Sequence, residues 1–225
     1  MGPSFDGSVP VPAGLPRTAL PVHRGLPRHL EAHLARLRAG AAALHAEVPW
    51  LPGIQPALEA WLRAEAPGAD AALRLTLHPE TGRLSARLEP LPSPPVPYRL
   101  APFPHPLAAR RLDPTVTHKG LAGPWHLALL EAAREAGAVD ALLLWADGTL
   151  AETAIASVAL QRGNLITVPP PQGRVASLAE RLDLPDWARS RGLRIEVGSL
   201  SLASVQEGRL WCMNALRGIW PATLP

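Results

Sequence analysis

One lysine, Lys119, stands among 21 arginines in a chain of 225 residues. It sits in a short polar run, Thr115-Val116-Thr117-His118-Lys119-Gly120, where an amine can do chemistry that a guanidinium cannot. Arginine keeps its proton in proteins, whereas lysine can lose it and add to a carbonyl carbon to give a Schiff base. A coding bias toward arginine that spared one lysine explains the count equally well. The decision rests on what surrounds Lys119.

The other reactive side chains offer weaker patterns. His29 and His33 are spaced i, i+4 and share one helical face, but Leu30 stands where a zinc-protease motif needs glutamate, and no third ligand is evident. No metal is therefore expected. Cys212 lies beside Trp211 in an apolar run and reads as a small buried hydrophobe. Neither a phosphate-cradling G-x-x-x-x-G-K-[ST] nor a G-x-S-x-G nucleophile turn occurs.

Composition narrows the class further. The hydrophobic fraction of 47% supports a true core, and no apolar stretch approaches the ~20 residues of a membrane span. The opening Met1-Gly2-Pro3-Ser4-Phe5-Asp6 lacks the basic start and apolar block of a signal peptide. A single cysteine excludes an internal disulfide and fits a reducing cytoplasm. The net charge is only +3, and the arginines are scattered, Arg189, Arg191 and Arg194 being the densest group. That is no nucleic-acid footprint.

The elements that must position Lys119 follow from periodicity. Residues 1–25 read as irregular or short strands. Leu30, Leu34, Leu37, Ala41 and Leu44 recur at helical spacing, predicting a helix over 26–44, with a second over 55–64. Alternation over 71–77 and 83–88 about Pro79-Glu80-Thr81-Gly82 predicts a hairpin. The eight prolines between Pro90 and Pro106 imply extended chain, at best an edge strand, and a domain linker is placed near 104–113. A helix over 124–136 follows. Strands are predicted over 141–145, 151–161, 165–168, 193–197 and 209–213, with a helix over 176–182 and a helical turn over 201–206. The order is α+β, not a regular βαβ alternation. It suggests an N-terminal domain, 1–108, and a C-terminal one, 109–225.

Several short segments, taken in order, resemble the fold-type IV pyridoxal-phosphate enzymes, the class IV aminotransferase family, over about residues 26–225. His33-Leu34-Ala35-Arg36-Leu37 is similar to the family's H-l-x-R-L helix. Leu73-Arg74-Leu75 resembles a strand that aims an arginine at the active site. Thr117-His118-Lys119-Gly120 resembles the H-K-T-T site of lyase-type members. Asp147-Gly148-Thr149-Leu150-Ala151-Glu152 is close to D/N-G-x-x-x-E, with the glutamate 33 positions after the lysine. Pro169 through Ala179 resembles the Pro-rich turn and helix start that grip a phosphate. Asn214-Ala215-Leu216-Arg217-Gly218 resembles the N-S-L-R-G run of lyase-type members.

The resemblance implies a two-domain α+β fold: a small N-terminal α/β domain and a larger C-terminal domain of barrel-like β structure. It implies pyridoxal 5′-phosphate as cofactor, with Lys119 as its covalent attachment point and catalytic proton carrier. Glu152 would meet the ring nitrogen; Arg36, Ser177, Leu178, Ala179, Asn214 and Ala215 would hold the phosphate; Arg74 and Arg217 would bind substrate. The member most resembled is aminodeoxychorismate lyase, which converts 4-amino-4-deoxychorismate to 4-aminobenzoate and pyruvate in folate biosynthesis. An amino-acid aminotransferase is the alternative enzyme, and a homodimer acting on a small amino substrate, without nucleic acid or membrane, is the implied assembly. Departures from the family pattern are Gly123-Pro124-Trp125 in place of a tyrosine, Ser157 for an asparagine, Ser177-Leu178-Ala179 for a Gly-Ile/Val-Thr turn, and Ala215 for serine. Two lost hydroxyls at about 1 kcal/mol each predict cofactor retention weaker by on the order of tenfold or more. The same losses also fit a non-catalytic relative that keeps the fold as a binding module.

Overall fold

The computed structural model describes residues 14–225, so the reading of 1–13 as irregular or short strands lies outside the described residues. The chain divides into two compact units. One runs up to Pro92 and includes His118–Gly123; the other comprises Ser93–Thr117 and Pro124–Pro225. Residues 104–113, where the sequence suggests a linker, fall within the second unit.

The first unit is a four-stranded antiparallel sheet with two helices. Its strands are β1 (Arg17–His23), β2 (Leu26–Pro27), β3 (Ala71–His78) and β4 (Arg83–Glu89), in the order β2-β1-β3-β4. Helix α1 (Leu30–Ala43) packs against β1 through Leu30, Leu34, Leu37 and Ala41 of the predicted face, while Leu44, also expected on it, caps the helix end and is exposed. It starts at Leu30 rather than Leu26 because Pro27 disfavours helical backbone at the residue before it, and Leu26 and Pro27 pair with β1 instead. Helix α2 (Gln55–Glu65) begins with proline in its first turn and buries Leu58 and Leu62. Leu73, Leu75 and Leu77 of β3 are fully buried against these helices' side chains.

The second unit holds two sheets. The three-stranded one is β5 (Leu100–Pro104), β6 (Asp140–Leu144) and β7 (Leu150–Thr153). The five-stranded one contains β8 (Ser157–Arg162), β9 (Leu165–Val168), β10 (Arg194–Val197), β11 (Arg209–Asn214) and β12 (Gly218–Ala222), ordered β10-β9-β8-β11-β12. A bridge between Arg99 and Thr223, with Leu100 N–H donating to the Thr223 carbonyl at 2.9 Å, carries β12 onto β5. The combined sheet curls, since β7 runs directly into β8, and its inner face buries Leu100, Leu142, Leu150, Val158, Leu160, Cys212 and Trp220. This is the barrel-like sheet that the resemblance implies. Helix α3 (Trp125–Glu135) covers β6, and the short helices α4 (Leu178–Leu182), α5 (Leu184–Arg189) and α6 (Leu202–Val205) complete the unit.

One predicted strand, 151–161, is two. Thr153 breaks it: its N–H donates to the Ala156 carbonyl at 2.7 Å, and its Oγ1 accepts from Ala156 N–H at 2.8 Å while donating to Asp140 Oδ2 at 2.6 Å. That three-residue corner lets the chain pass from one sheet to the other. Strand β12 and helix α5 escaped the sequence reading because each carries a proline, Pro221 and Pro185, which removes a backbone donor and masks the pattern.

Candidate active site

Lys119 is held in place by its backbone. In the first unit Arg17 N–H donates to the Lys119 carbonyl at 3.1 Å, and Gly14 N–H to the Gly120 carbonyl at 3.2 Å. Gly120 adopts φ of +100°, and a Cβ there would stand 2.2 Å from the Leu15 carbonyl oxygen and 2.8 Å from Arg17 Cγ. Both the torsion and the space demand glycine. Gly120→Ala is therefore expected to cost about 2–4 kcal/mol and to displace Lys119, read as a lowered Tm together with weakened cofactor uptake.

Around Lys119 the same unit gathers positive charge. Burial first, and then the charge of Arg36, half-buried on α1, depress the pKa of His118. His33 is fully buried, its Nδ1 2.6 Å from Thr18 Oγ1. Burial first, then the charges of Arg36, Lys119 and His29, hold its imidazole down to about 3. Arg17 packs against Gly120 and is lowered by burial first and then by Arg74. Arg74 itself is exposed on β3 and ion-paired with Glu89, which also pairs with Arg87. Lys119, Arg17 and Arg36 thus form one cationic neighbourhood, suited to anions, with the Glu89-paired Arg74 next to Arg17.

The buried His33 gives a stability prediction. Its folded pKa is depressed, so the unfolded chain binds the extra proton first. The stability from keeping it neutral is present above pH 6.5 and is lost as pH falls toward 3. Acid unfolding followed by circular dichroism is expected to steepen across that window, and His33→Phe is expected to flatten it.

In the second unit, Glu152 on β7 is a buried acid on a strand whose four residues are all buried. The Asp147-Gly148 turn that precedes it is closed by Thr149 N–H and Oγ1 donating to Asp147 Oδ1. The Oε1 of Glu152 accepts from Val175 N–H at 3.2 Å and lies 3.6 Å from His105 Nε2. His105 was not among the sequence candidates, because nothing in a Pro-rich segment marks one histidine as special.

The loop before α4 is built by buried polar contacts. Arg174, among the largest fully buried side chains, donates to both carboxylate oxygens of Glu180 at 2.7 Å and to the carbonyls of Pro169 and Pro170. Gly173 is required there too, since a Cβ would meet Arg111 Cγ at 2.4 Å. Ser177 caps α4: its Oγ accepts from Glu180 N–H, while its own N–H donates to Ser157 Oγ at 2.8 Å. Ser157, where the family pattern has asparagine, thereby ties the loop to β8. Leu178 and Ala179 occupy the first two helical positions, whose N–H groups have no carbonyl one turn back. A bidentate arginine–carboxylate pair this deeply buried needs its hydrogen bonds complete to be tolerated; the sequence showed both residues but not their pairing.

Asn214 ends β11 and shapes the turn after it. Its Oδ1 accepts from the N–H groups of Leu216 and Arg217, and its Nδ2 donates to the Ile155 carbonyl. The side chain is thus a turn-former, and Ala215 sits inside that turn. Arg217 Nε is buried with no hydrogen-bond partner among the described residues, a donor in want of an acceptor. Cys212 is fully buried in the sheet, and burial pushes its thiol up, in keeping with a small buried hydrophobe. Among the described residues no cluster of histidine, cysteine and carboxylates could hold a metal ion, and no helix is long and apolar enough to cross a membrane. The structure therefore places Lys119, Arg36 and Arg74 in the first unit, and Glu152, Ser177, Leu178, Ala179, Asn214, Ala215 and Arg217 in the second.

Comparison with known proteins gives the family and the fold. The family model described as amino-transferase class IV matches residues 18–224. No curated protein matches the sequence. Among solved structures, a fold IV transaminase from Curtobacterium pusillum is 21% identical, with a TM-score of 0.81 over 98% of this chain and 85% of its own. A hypothetical aminotransferase from Mycobacterium tuberculosis, in its PLP-bound form, is 21% identical at a TM-score of 0.80, covering 98% and 87%. A protein proposed to be a 4-amino-4-deoxychorismate lyase is 26% identical at a TM-score of 0.77, covering 97% and 90%. With the match spanning nearly the whole described chain, this protein belongs to the class IV aminotransferase family of pyridoxal-phosphate-dependent lyases and aminotransferases.

Proposed function

We propose that this enzyme is a lyase that converts 4-amino-4-deoxychorismate to 4-aminobenzoate and pyruvate, within folate biosynthesis in the cytoplasm. The observation that carries this reading is the cationic neighbourhood of the only lysine. In the first unit Arg36 and Lys119 both bear on the buried His33, and Arg17, whose N–H holds the Lys119 carbonyl, is itself next to Arg74; in the second unit the buried Nε of Arg217 has no hydrogen-bond partner among the described residues. A cofactor phosphate and a substrate with two carboxylates supply the anions such a site needs. The His118-Lys119 pair and the Asn214-to-Gly218 turn, both similar to lyase-type members, point the same way.

The residues present fit pyridoxal phosphate. Lys119 supplies the single amine able to bond its aldehyde carbon, and Glu152 supplies a buried acid for its ring nitrogen. Arg36, with the backbone from Ser177 to Ala179 and from Asn214 to Ala215, would hold the phosphate. When bound, the cofactor acts as an electron sink that makes a proton on the amine-bearing carbon of the substrate acidic. Lys119 Nζ would take that proton and return it. Glu152 would keep the ring nitrogen protonated, and Arg74 and Arg217 would orient the substrate carboxylates.

The test is to incubate the cofactor-loaded protein with 4-amino-4-deoxychorismate and measure 4-aminobenzoate and pyruvate in equal amounts. Absence of both, with turnover of an amino acid and a keto acid instead, would replace the lyase reading by an aminotransferase. The proposed assembly is a homodimer. A solution mass near twice 23.9 kDa at micromolar protein is expected, and a monomer mass under cofactor saturation would overturn it.

A further inference from the structure

We propose that His105 is the positioning residue for Glu152, holding the acid as a carboxylate with one oxygen already engaged. This role rests on the family reading only for what Glu152 meets; the contact itself lies within the second unit. His105 has no side-chain exposure, and its tautomer is set by its surroundings. Leu107 N–H points at Nδ1 from 3.1 Å, so Nδ1 is an acceptor and the ring proton sits on Nε2. The imidazole is therefore neutral, and its contact with Glu152 is a donor facing an anion, not an ion pair.

The ring is clamped in that orientation. It stacks on Trp145 with centroids 4.1 Å apart and an interplanar angle of 24°, and Trp125 closes a second side at 5.6 Å. His105 N–H also donates to the Leu144 carbonyl at 2.7 Å, which ties the residue's backbone to the strand beside β7. The Nε2 atom is buried and has no other hydrogen-bond partner among the described residues. At 3.6 Å it is slightly beyond a full hydrogen bond to Glu152 Oε1, so it acts as an oriented dipole in a buried site. Together with Val175 N–H it places two donors on one oxygen, Oε1. Oε2 is then the oxygen left for a ligand's protonated nitrogen. The nearby charges are paired: Arg111 lies over the Trp145 ring and against Asp147, and Arg174 is closed by Glu180. Neither substitutes for the histidine.

Two variants separate the donor from the ring. His105→Phe keeps the stack on Trp145 and removes Nε2–H. His105→Gln removes the stack and restores an N–H near the Nε2 position. Both lose the acceptor for Leu107 N–H, and glutamine also loses the stack, so any recovery in His105→Gln over His105→Phe comes from the donor. In the cofactor-free protein, the Glu152 carboxyl is followed by carbon-13 NMR across pH. His105→Phe is expected to raise its protonation midpoint by about one unit, a tenfold change in proton affinity, and His105→Gln to return most of the shift. Pyridoxal phosphate affinity is expected to fall by about tenfold in the phenylalanine variant and to recover with glutamine. A midpoint and an affinity unchanged in folded His105→Phe would overturn the proposal. So would imidazole nitrogen-15 shifts in the unsubstituted protein that put the proton on Nδ1, a measurement that does not depend on any variant folding. If the Glu152 midpoint moves as expected but the unsubstituted protein takes up no cofactor, the positioning role stands and the proposed function falls.

Discussion

Lys119→Ala is expected to leave a folded protein that forms no covalent bond with pyridoxal phosphate and turns over no substrate. The fold is spared because the segment is held through the Lys119 carbonyl and the Gly120 backbone, which alanine keeps. The chemistry is lost because no second amine of this kind exists in the chain. Losing both the nucleophile and the proton carrier removes at least about 10³-fold in rate, the scale of one general base, before the covalent step is counted. Borohydride reduction of the cofactor-loaded protein, read by mass, should add one cofactor to the unsubstituted chain and none to the variant. Lys119→Arg should behave like alanine, since guanidinium does not give up its proton. Attachment that survives in Lys119→Ala would remove the lysine from the site.

Glu152→Gln carries the second large effect. The amide keeps an oxygen for Val175 N–H and nearly the same volume, so the strand and its burial should hold. What disappears is the negative charge that, in the proposed role, would keep a bound ring nitrogen protonated. Without that charge the substrate's carbon–hydrogen bond is not acidified. Loss of one preorganised charge of this kind is worth on the order of 10²–10³-fold in kcat, about 3–4 kcal/mol. KM should change far less, because the group acts on the reacting electrons and not on substrate binding. Stopped-flow measurement of single turnovers separates the two. A variant with full kcat would show that Glu152 is only a buried strand carboxylate.

These two residues also show how the sequence and the structure divide the work. Lys119 was legible because its rarity is a matter of chemical type, and type is visible in one dimension. Glu152 was a candidate through the resemblance of Asp147-Gly148-Thr149-Leu150-Ala151-Glu152 to the family's D/N-G-x-x-x-E pattern, and the structure buries it on β7. The hairpin β3–β4 and helix α1 followed from their apolar spacing, since local periodicity maps directly onto a buried face. The pairing of Arg174 with Glu180, the Ser157 tie to Ser177, and the contact of His105 with Glu152 were not legible. The last two join residues 20 or more apart, and the first depends on a loop folding back on its helix.

What the chain alone determined is therefore the inventory: one amine, one acid after a turn, an arginine on an amphipathic helix, and the elements that carry them. Only the tertiary structure decided which groups are buried together. It split residues 151–161 at Thr153, because a hydroxyl can close a corner only when Asp140 lies within reach to accept from it. It returned His118–Gly123 to the first unit, because Gly120 alone can fit beneath the Leu15 carbonyl. Periodicity reports how a residue relates to its neighbours three or four places away. Burial and hydrogen-bond partners depend on distances across the fold, and those exist only once it has closed.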